Sequence, residues 1–126
     1  MDKLKIFQFS FGDGYAGSAK VAILSSKLLA EKGHNVTLFA SKNSLTEKRA
    51  KDYGINVVAL DSSLEFKQLI RPIIEVFEQE KPGFVITHHS LDRKIGFKLK
   101  SKFGKVFYNI GYRHNISKSF PVIGPL

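Results

Sequence analysis

The chain contains the segment LKIFQFSF, residues 4–11, followed directly by GDGYAG, residues 12–17. The first part is short and β-favouring, and it stops at a cluster of glycines, as a buried first strand does. From Ser18 onward the period becomes helical, with one small or apolar face made of Ala19, Ala22, Ile23, Ser26, Leu29 and Ala30. Ser18 is the predicted N-cap of this helix, and Gly33 is the predicted stop. Strand, glycine turn and helix in this order indicate a Rossmann-like domain.

The rest of the chain continues the same alternation. Further strands are predicted at 35–40, 55–60, 84–87 and 105–110. Helices are predicted around 46–53, over 64–80, and in a segment whose buried side is Ile95, Leu99 and Phe103. Because Pro72 cannot sit unstrained inside a helix, we expect a break or kink there, with Pro72 opening a second piece. The pattern predicts one α/β domain over residues 1–126, a three-layer sandwich with a mostly parallel sheet and helices on both faces.

Composition narrows the classes of function. With 43% apolar residues, 11 Phe and no cysteine, the chain can close one core without disulfides or thiolate metal sites, which fits a cytoplasmic protein. Residues 1–5 leave no room for a signal peptide, and no apolar run reaches the roughly 18 residues that span a bilayer. The net charge of +9 favours phosphate-bearing partners. Nucleic acid is disfavoured, since most of the Phe residues lie in apolar runs that read as core rather than among basic residues.

The glycine turn is the first candidate site. At the start of a helix, glycines allow a phosphate to approach the backbone, so the candidate contacts for a donor phosphate are Gly14, Gly17, Ser18 and Lys20. The alternative is a tight turn that binds nothing. NAD would require an acidic residue at the end of the second strand, where this chain has Ala40-Ser41-Lys42. The Ser-Lys pair leaves NADP open, because it suits a 2′-phosphate.

The second candidate site follows the fourth strand and consists of Thr87, His88, His89 and Ser90. One of the two adjacent histidines should face the cleft, and the other should pack beneath it. We expect no metal here, because adjacent histidines diverge and no carboxylate lies at a supporting spacing. Hydrogen bonding to a substrate hydroxyl or general acid–base catalysis is the functional interpretation, which makes His88 and His89 the catalytic candidates. The alternative is one structural and one exposed histidine.

Two basic clusters complete the set of candidates. Arg113 and His114 lie past the fifth strand, and with Lys118 they either bind a phosphate or stand in solvent. Lys94, Lys98 and Lys102 repeat at a spacing of four. This stripe is either a solvated helix face or a peripheral contact with anionic lipid.

Four segments, in this order, resemble the first domain of family 4 glycosyltransferases, which have the two-domain GT-B fold. They are AGSAKV at 16–21, LLAEKGHNVTL at 28–38, LTEKRAKDYGI at 45–55 and KPGFVITHHS at 81–90. Related sequences often carry a histidine or two arginines where this chain has Ile110 and Gly111, so no catalytic residue is assigned there.

The resemblance implies transfer of a sugar from a nucleotide-sugar donor to a hydroxyl of a glycan or lipid-linked acceptor, without a bound metal or other cofactor. It also implies a role in cell-envelope polysaccharide or glycolipid synthesis, in the cytoplasm or at the inner face of the membrane. In that family the first domain mostly holds the acceptor, and a second, donor-binding domain carries most nucleotide contacts. That second domain is absent here, so we expect the chain alone to be inactive. Two other functions stay open: an NADP-binding domain of an oxidoreductase, and a non-catalytic stand-alone binding module.

Overall fold

A computed structural model describes residues 3–12 and 17–104 in full, together with the backbone of a strand at residues 108–111. The elements in chain order are β1 (Lys5–Ser10), α1 (Gly17–Glu31), β2 (Asn35–Ser41), α2 (Leu45–Asp52), β3 (Asn56–Leu60), α3 (Phe66–Glu80), β4 (Phe84–Thr87), α4 (Ser90–Phe103) and β5 (Tyr108–Gly111). The five strands form one parallel sheet in the order β3-β2-β1-β4-β5. The predicted α/β architecture is therefore confirmed, although residues 105–107 of the predicted fifth strand lie outside the described residues.

Alternation along the strands divides the core into two halves. On one face, Phe7, Phe9 and Phe39 pack with side chains from α3 and α4, including Phe77 and Ile95. On the other face, the sheet is covered by α1 and α2, in a cluster made of Ala22, Ile23, Leu38, Ala50 and Ile55. The strands β1, β2 and β4 bury side chains on both faces, as a sheet covered by helices on both sides does.

Most helix ends agree with the sequence signals within one or two residues. Gly33 ends α1 with a φ of 95°, and the N–H groups of Gly33 and His34 donate to carbonyls in the last turn. The start differs, because α1 already begins at Gly17 and Ser18 lies in its first turn rather than at its N-cap. The second helix begins at Leu45, since the Ser44 side chain accepts the N–H of Glu47.

The expected break at Pro72 was wrong, because α3 runs without interruption from Phe66 to Glu80 with Pro72 inside it. Proline leaves the carbonyl of Gln68 without its usual helical donor, but Gln68 is exposed and water can satisfy that oxygen. The helix is held by buried apolar residues on both sides of the proline, namely Leu69, Ile70, Ile73 and Phe77. Burial of this face outweighs the lost hydrogen bond.

We predict that Pro72→Ala raises the free energy of unfolding by about 1 kcal/mol. Alanine restores the backbone N–H and removes the steric clash of the proline ring, which together are worth up to about 3 kcal/mol in a helix interior. Part of this gain is offset, because the unfolded chain has more conformational entropy without proline. Urea denaturation followed by circular dichroism measures the change, with Arg71→Ala, an exposed neighbour, as the control. A lower stability of Pro72→Ala would contradict this account of the helix.

Candidate functional site

The carboxyl ends of β1 and β4 lie side by side, because the two strands are paired with Phe9 opposite Thr87. This register brings the first residue of the glycine turn, Gly12, close to the residues that follow β4, His88 and His89. In open parallel sheets, ligands bind at this edge, where neighbouring strands lead to helices on opposite faces. Here α1 and α4 cover opposite faces of the sheet, so the ends of β1 and β4 form that point.

Asp92 connects the two strand ends. Its side chain is fully buried, and Oδ1 accepts the N–H of Phe11 at 2.8 Å. Oδ2 accepts the N–H of His88 at 3.1 Å and that of His89 at 2.8 Å. Burial raises the pKa of the Asp92 carboxyl above its usual value, while these N–H donors and the nearby His89 ring act in the opposite direction.

Asp92 was missed in the sequence as the acceptor that holds the backbone of both histidines. The signal was present, because Asp92 is the third residue of α4 and so lies three residues after its N-cap, His89. An acidic side chain at that position commonly reaches back to the N–H of the N-cap residue. The carboxylate orients the histidine backbone, however, and does not contribute to a metal site. Within residues 3–12 and 17–104, no three His, Asp or Glu side chains are grouped as a metal would require.

His88 belongs to a buried polar chain. It is 3% exposed, and its Nε2 lies 2.6 Å from Oε1 of Gln8, a fully buried residue of β1. Gln8 Nε2 donates to Ser25 Oγ at 2.8 Å, and that hydroxyl donates to the Val21 carbonyl at 2.7 Å. Since Ser25 has a single hydroxyl proton, it must accept from Gln8, which leaves Gln8 Oε1 to accept from His88. His88 Nε2 is therefore the protonated nitrogen of this bond.

His89 lies in a different environment. Its ring is half-buried, and Nε2 is 3.1 Å from the hydroxyl oxygen of Ser10 at the end of β1. The ring also packs on Gly12, where an added Cβ would lie 2.5 Å from Nδ1 and 2.7 Å from Nε2. His89 is thus the histidine that borders the glycine turn, and glycine at position 12 makes room for its ring.

We predict that Gly12→Ala displaces the His89 ring and lowers the free energy of unfolding by about 1–2 kcal/mol, as overpacking does. Adding His89→Ala to the same protein should recover most of that loss, because the clash needs both side chains. Gly17→Ala is the matched control, since a Cβ there meets nothing within 4 Å. The relevant measurement is a double-mutant cycle in urea, and additive effects of the two substitutions would contradict the contact.

The remaining candidates are spread along the same edge. Thr87 is 1% exposed and Ser90 is exposed at the start of α4, where its hydroxyl accepts from Arg93. Gly17, Ser18 and Lys20 lie in the first turns of α1, with Gly17 and Lys20 exposed. Gly14, Arg113 and His114 lie outside the described residues, so their assignment stays a prediction.

The end of β2, which bears on the NADP alternative, is tied to the loop that follows β3. Ser41 Oγ lies 2.7 Å from Ser62 Oγ, so its hydroxyl is engaged within the protein. Lys42 next to it is exposed. An open cavity of about 590 Å³ lies beside the segment that follows β2 and is lined by Asn43, Ser44, Leu45, Glu47, Lys48 and Lys51. Within this lining, Glu47 is paired with Lys51 at 2.7 Å.

No protein-family model and no curated protein matches the chain. Among solved structures, MurG from Acinetobacter baumannii is similar with a TM-score of 0.71 and 16% identity, over 94% of this chain and 37% of MurG. A glycosyltransferase from Rickettsia africae is similar with a TM-score of 0.69 and 17% identity, over 94% of this chain and 32% of that one. The chain has the fold of one half of a GT-B protein. It spans well under half the length of these proteins.

The same sheet also occurs outside glycosyltransferases. A formyltetrahydrofolate deformylase from Pseudomonas putida is similar with a TM-score of 0.59 and 17% identity, over 96% of this chain and 41% of that one. At such identities the likeness concerns the fold, and any function must be argued from the residues at the edge of the sheet. Among the described helices, none is long and apolar enough to cross a membrane.

Proposed function

We propose that this chain is the N-terminal, acceptor-side half of a nucleotide-sugar-dependent glycosyltransferase that acts on a hydroxyl acceptor. The observation that carries the proposal is the position of His89, half-buried at the joined ends of β1 and β4 and in contact with Gly12 of the glycine turn. A hydroxyl acceptor needs a hydrogen-bonding or proton-accepting group, and a donor phosphate needs backbone N–H groups. Both kinds of group meet at this edge.

His89 is the residue that we assign to the acceptor. Its Nε2 is within hydrogen-bonding distance of Ser10, and an incoming hydroxyl of the acceptor can replace or extend that bond. His88 has the supporting role, because it is buried and bonded to Gln8. The backbone of both residues is fixed by Asp92, which limits the positions that His89 can take.

The start of α1 is the surface that we assign to the donor phosphates. The first N–H groups of a helix have no partner within it, and they carry the positive end of its dipole. Gly17 and Lys20 are exposed there, and an exposed lysine adds charge that favours an anion. The greater part of the nucleotide would be bound by a second Rossmann-like domain, so the chain alone is proposed to be inactive.

The solved structures support this assignment through the fold, since two of the three named are MurG and a glycosyltransferase. The acceptor is proposed to be a glycan or lipid-linked molecule of the cell envelope. The competing proposal, an NADP-dependent oxidoreductase domain, is weaker because the Ser41 hydroxyl is already bonded to Ser62.

The test begins with the mass of the native product that carries this sequence, isolated from its source cells. We expect a product large enough for two domains, which releases nucleotide from a nucleotide sugar when an acceptor extract is added. His89→Ala in that product should lower transfer by about tenfold or more. His34→Ala is the matched control, because His34 lies at the opposite edge of the sheet, where its Nδ1 accepts the N–H of Leu4.

Two outcomes would contradict the proposal. One is a native product of the size of this chain without affinity for nucleotide sugars, which would favour a stand-alone binding module. The other is a change of nicotinamide fluorescence when the protein is mixed with millimolar NADPH, which would favour the oxidoreductase.

A further inference from the structure

The helix α1 carries apolar side chains on two sides. Its inner side is buried in the cluster that contains Ala22 and Ile23. Its outer side presents Val21, Leu24 and Leu28, which are 41%, 52% and 58% exposed. Among the described residues, these are three of the eight large apolar side chains that are exposed. Apolar residues on both sides are typical of a helix that is covered on both sides.

The outer residues have the spacing of a helix–helix contact. Leu24 follows Val21 by three residues and Leu28 follows Leu24 by four, so the three side chains form one stripe, which we call the outer seam of α1. Two helices that pack along each other use apolar residues at this alternation of three and four. Tyr53, at the end of α2, is 47% exposed and adds apolar surface beside the seam, since its ring centroid lies 5.8 Å from Nζ of Lys27.

The charges along the outer seam suit a second copy of the same helix. Lys20 lies at one end of the seam and Glu31 at the other, and both are exposed. When two copies pack antiparallel with Leu24 of one facing Leu28 of the other, Lys20 of each copy comes next to Glu31 of the other. Lys27 lies near the middle of such a pair, where Glu31 of its own helix, at 3.3 Å, offsets its charge. The antiparallel order also places opposite ends of the two helix dipoles side by side.

We propose that the outer seams of two copies of this chain pack antiparallel and form a symmetric dimer. A two-fold axis fits this contact, because both copies use the same surface and that surface supplies charges of both signs. The net charge of +9 on each copy opposes association, but at physiological salt this repulsion is screened beyond about 8 Å. The inference does not depend on the proposed sugar transfer.

The first experiment is sedimentation equilibrium of the full chain at physiological salt, where a dimer should form as the concentration rises. Leu24→Gln with Leu28→Gln should lower the association constant by about tenfold or more, because four leucines of the dimer lose their apolar contact. Phe97→Gln is the control, since Phe97 is 75% exposed on α4 at the other face of the sheet, and it should keep the association. Circular dichroism of each variant verifies that the fold is kept.

The second experiment exchanges the charges at the ends of the seam. Glu31→Lys should lower the association constant by about threefold to tenfold, because two attractive contacts of the dimer become repulsive. Adding Lys20→Glu to the same chain should restore most of the association, since the two charges are then exchanged rather than lost. Glu75→Lys, on the exposed side of α3, makes the same change of net charge and is the control.

The third experiment tests the antiparallel order. The chain contains no cysteine, so single introduced cysteines report which positions meet. Leu24→Cys mixed with Leu28→Cys should form a disulfide-linked dimer under mild oxidation faster than either variant by itself, because the two positions face each other across the axis.

Three outcomes would overturn the proposal. A full chain that stays monomeric up to submillimolar concentration would show that the outer seam does not bind a second copy. Equal loss of association in Phe97→Gln would indicate general apolar attraction rather than a contact through α1. Faster cross-linking of each cysteine variant with itself would contradict the antiparallel order and with it the pairing of Lys20 and Glu31.

Discussion

Asp92→Ala lowers the free energy of unfolding by about 3 kcal/mol, because three backbone N–H groups lose their acceptor at once. Each donor left unsatisfied in a buried place costs about 1–3 kcal/mol. The sum is reduced because alanine also removes a carboxylate whose burial is unfavourable, as the raised pKa of Asp92 indicates. Urea denaturation of the full chain is the measurement.

Two further variants sharpen this result. Asp92→Asn keeps one acceptor oxygen but turns an amide N–H₂ toward the backbone donors, so it should recover only part of the loss. Asp52→Ala, an exposed residue at the end of α2, should change stability by less than about 0.5 kcal/mol. If Asp92→Ala also cost less than that, the carboxylate could not be what holds the two strand ends together.

The second large effect is expected in the aromatic core. Phe39 is fully buried, its ring stacks on Phe9 at a centroid distance of 4.4 Å, and it lies 4.9 Å from Phe7. Phe39→Ala should therefore cost about 3–5 kcal/mol, through lost burial and the cavity that remains. Because the ring sits in the central part of the sheet, neighbouring side chains have little freedom to fill the space.

Phe97→Ala is the matched control for this substitution, since it removes the same atoms from a residue that is 75% exposed. We expect a change of less than about 0.5 kcal/mol there. Thermal or urea unfolding of both variants provides the comparison, and similar losses for the two positions would contradict the assignment of the core.

The alternation of strands and helices along the chain was predictable, because it depends on the short-range periodicity of apolar residues. A short β-favouring run that stops at a glycine cluster located β1, and small residues at helical spacing located α1, with Gly33 at its end. The continuity of α3 through Pro72 was not predictable in the same way, because it depends on packing against strands far away in sequence. At Pro72, the burial of the apolar face of α3 outweighs the low helix propensity of proline.

The candidate site was predictable only in outline. The two histidines were placed at the end of β4, but the partner of His88 is Gln8, 80 residues earlier in the chain. Asp92 likewise bonds Phe11 across 81 residues. No local pattern reveals which residues meet over such separations without an alignment or a structure. The roles of Gly14, Arg113 and His114 remain predictions.

The carboxylate of Asp92 has a mechanical consequence for the edge of the sheet. One oxygen holds the chain after β1, and the other holds the chain after β4, so a displacement of either loop pulls on the same rigid group. We therefore expect a displacement of Phe11 to be transmitted through this side chain to the backbone of His88 and His89.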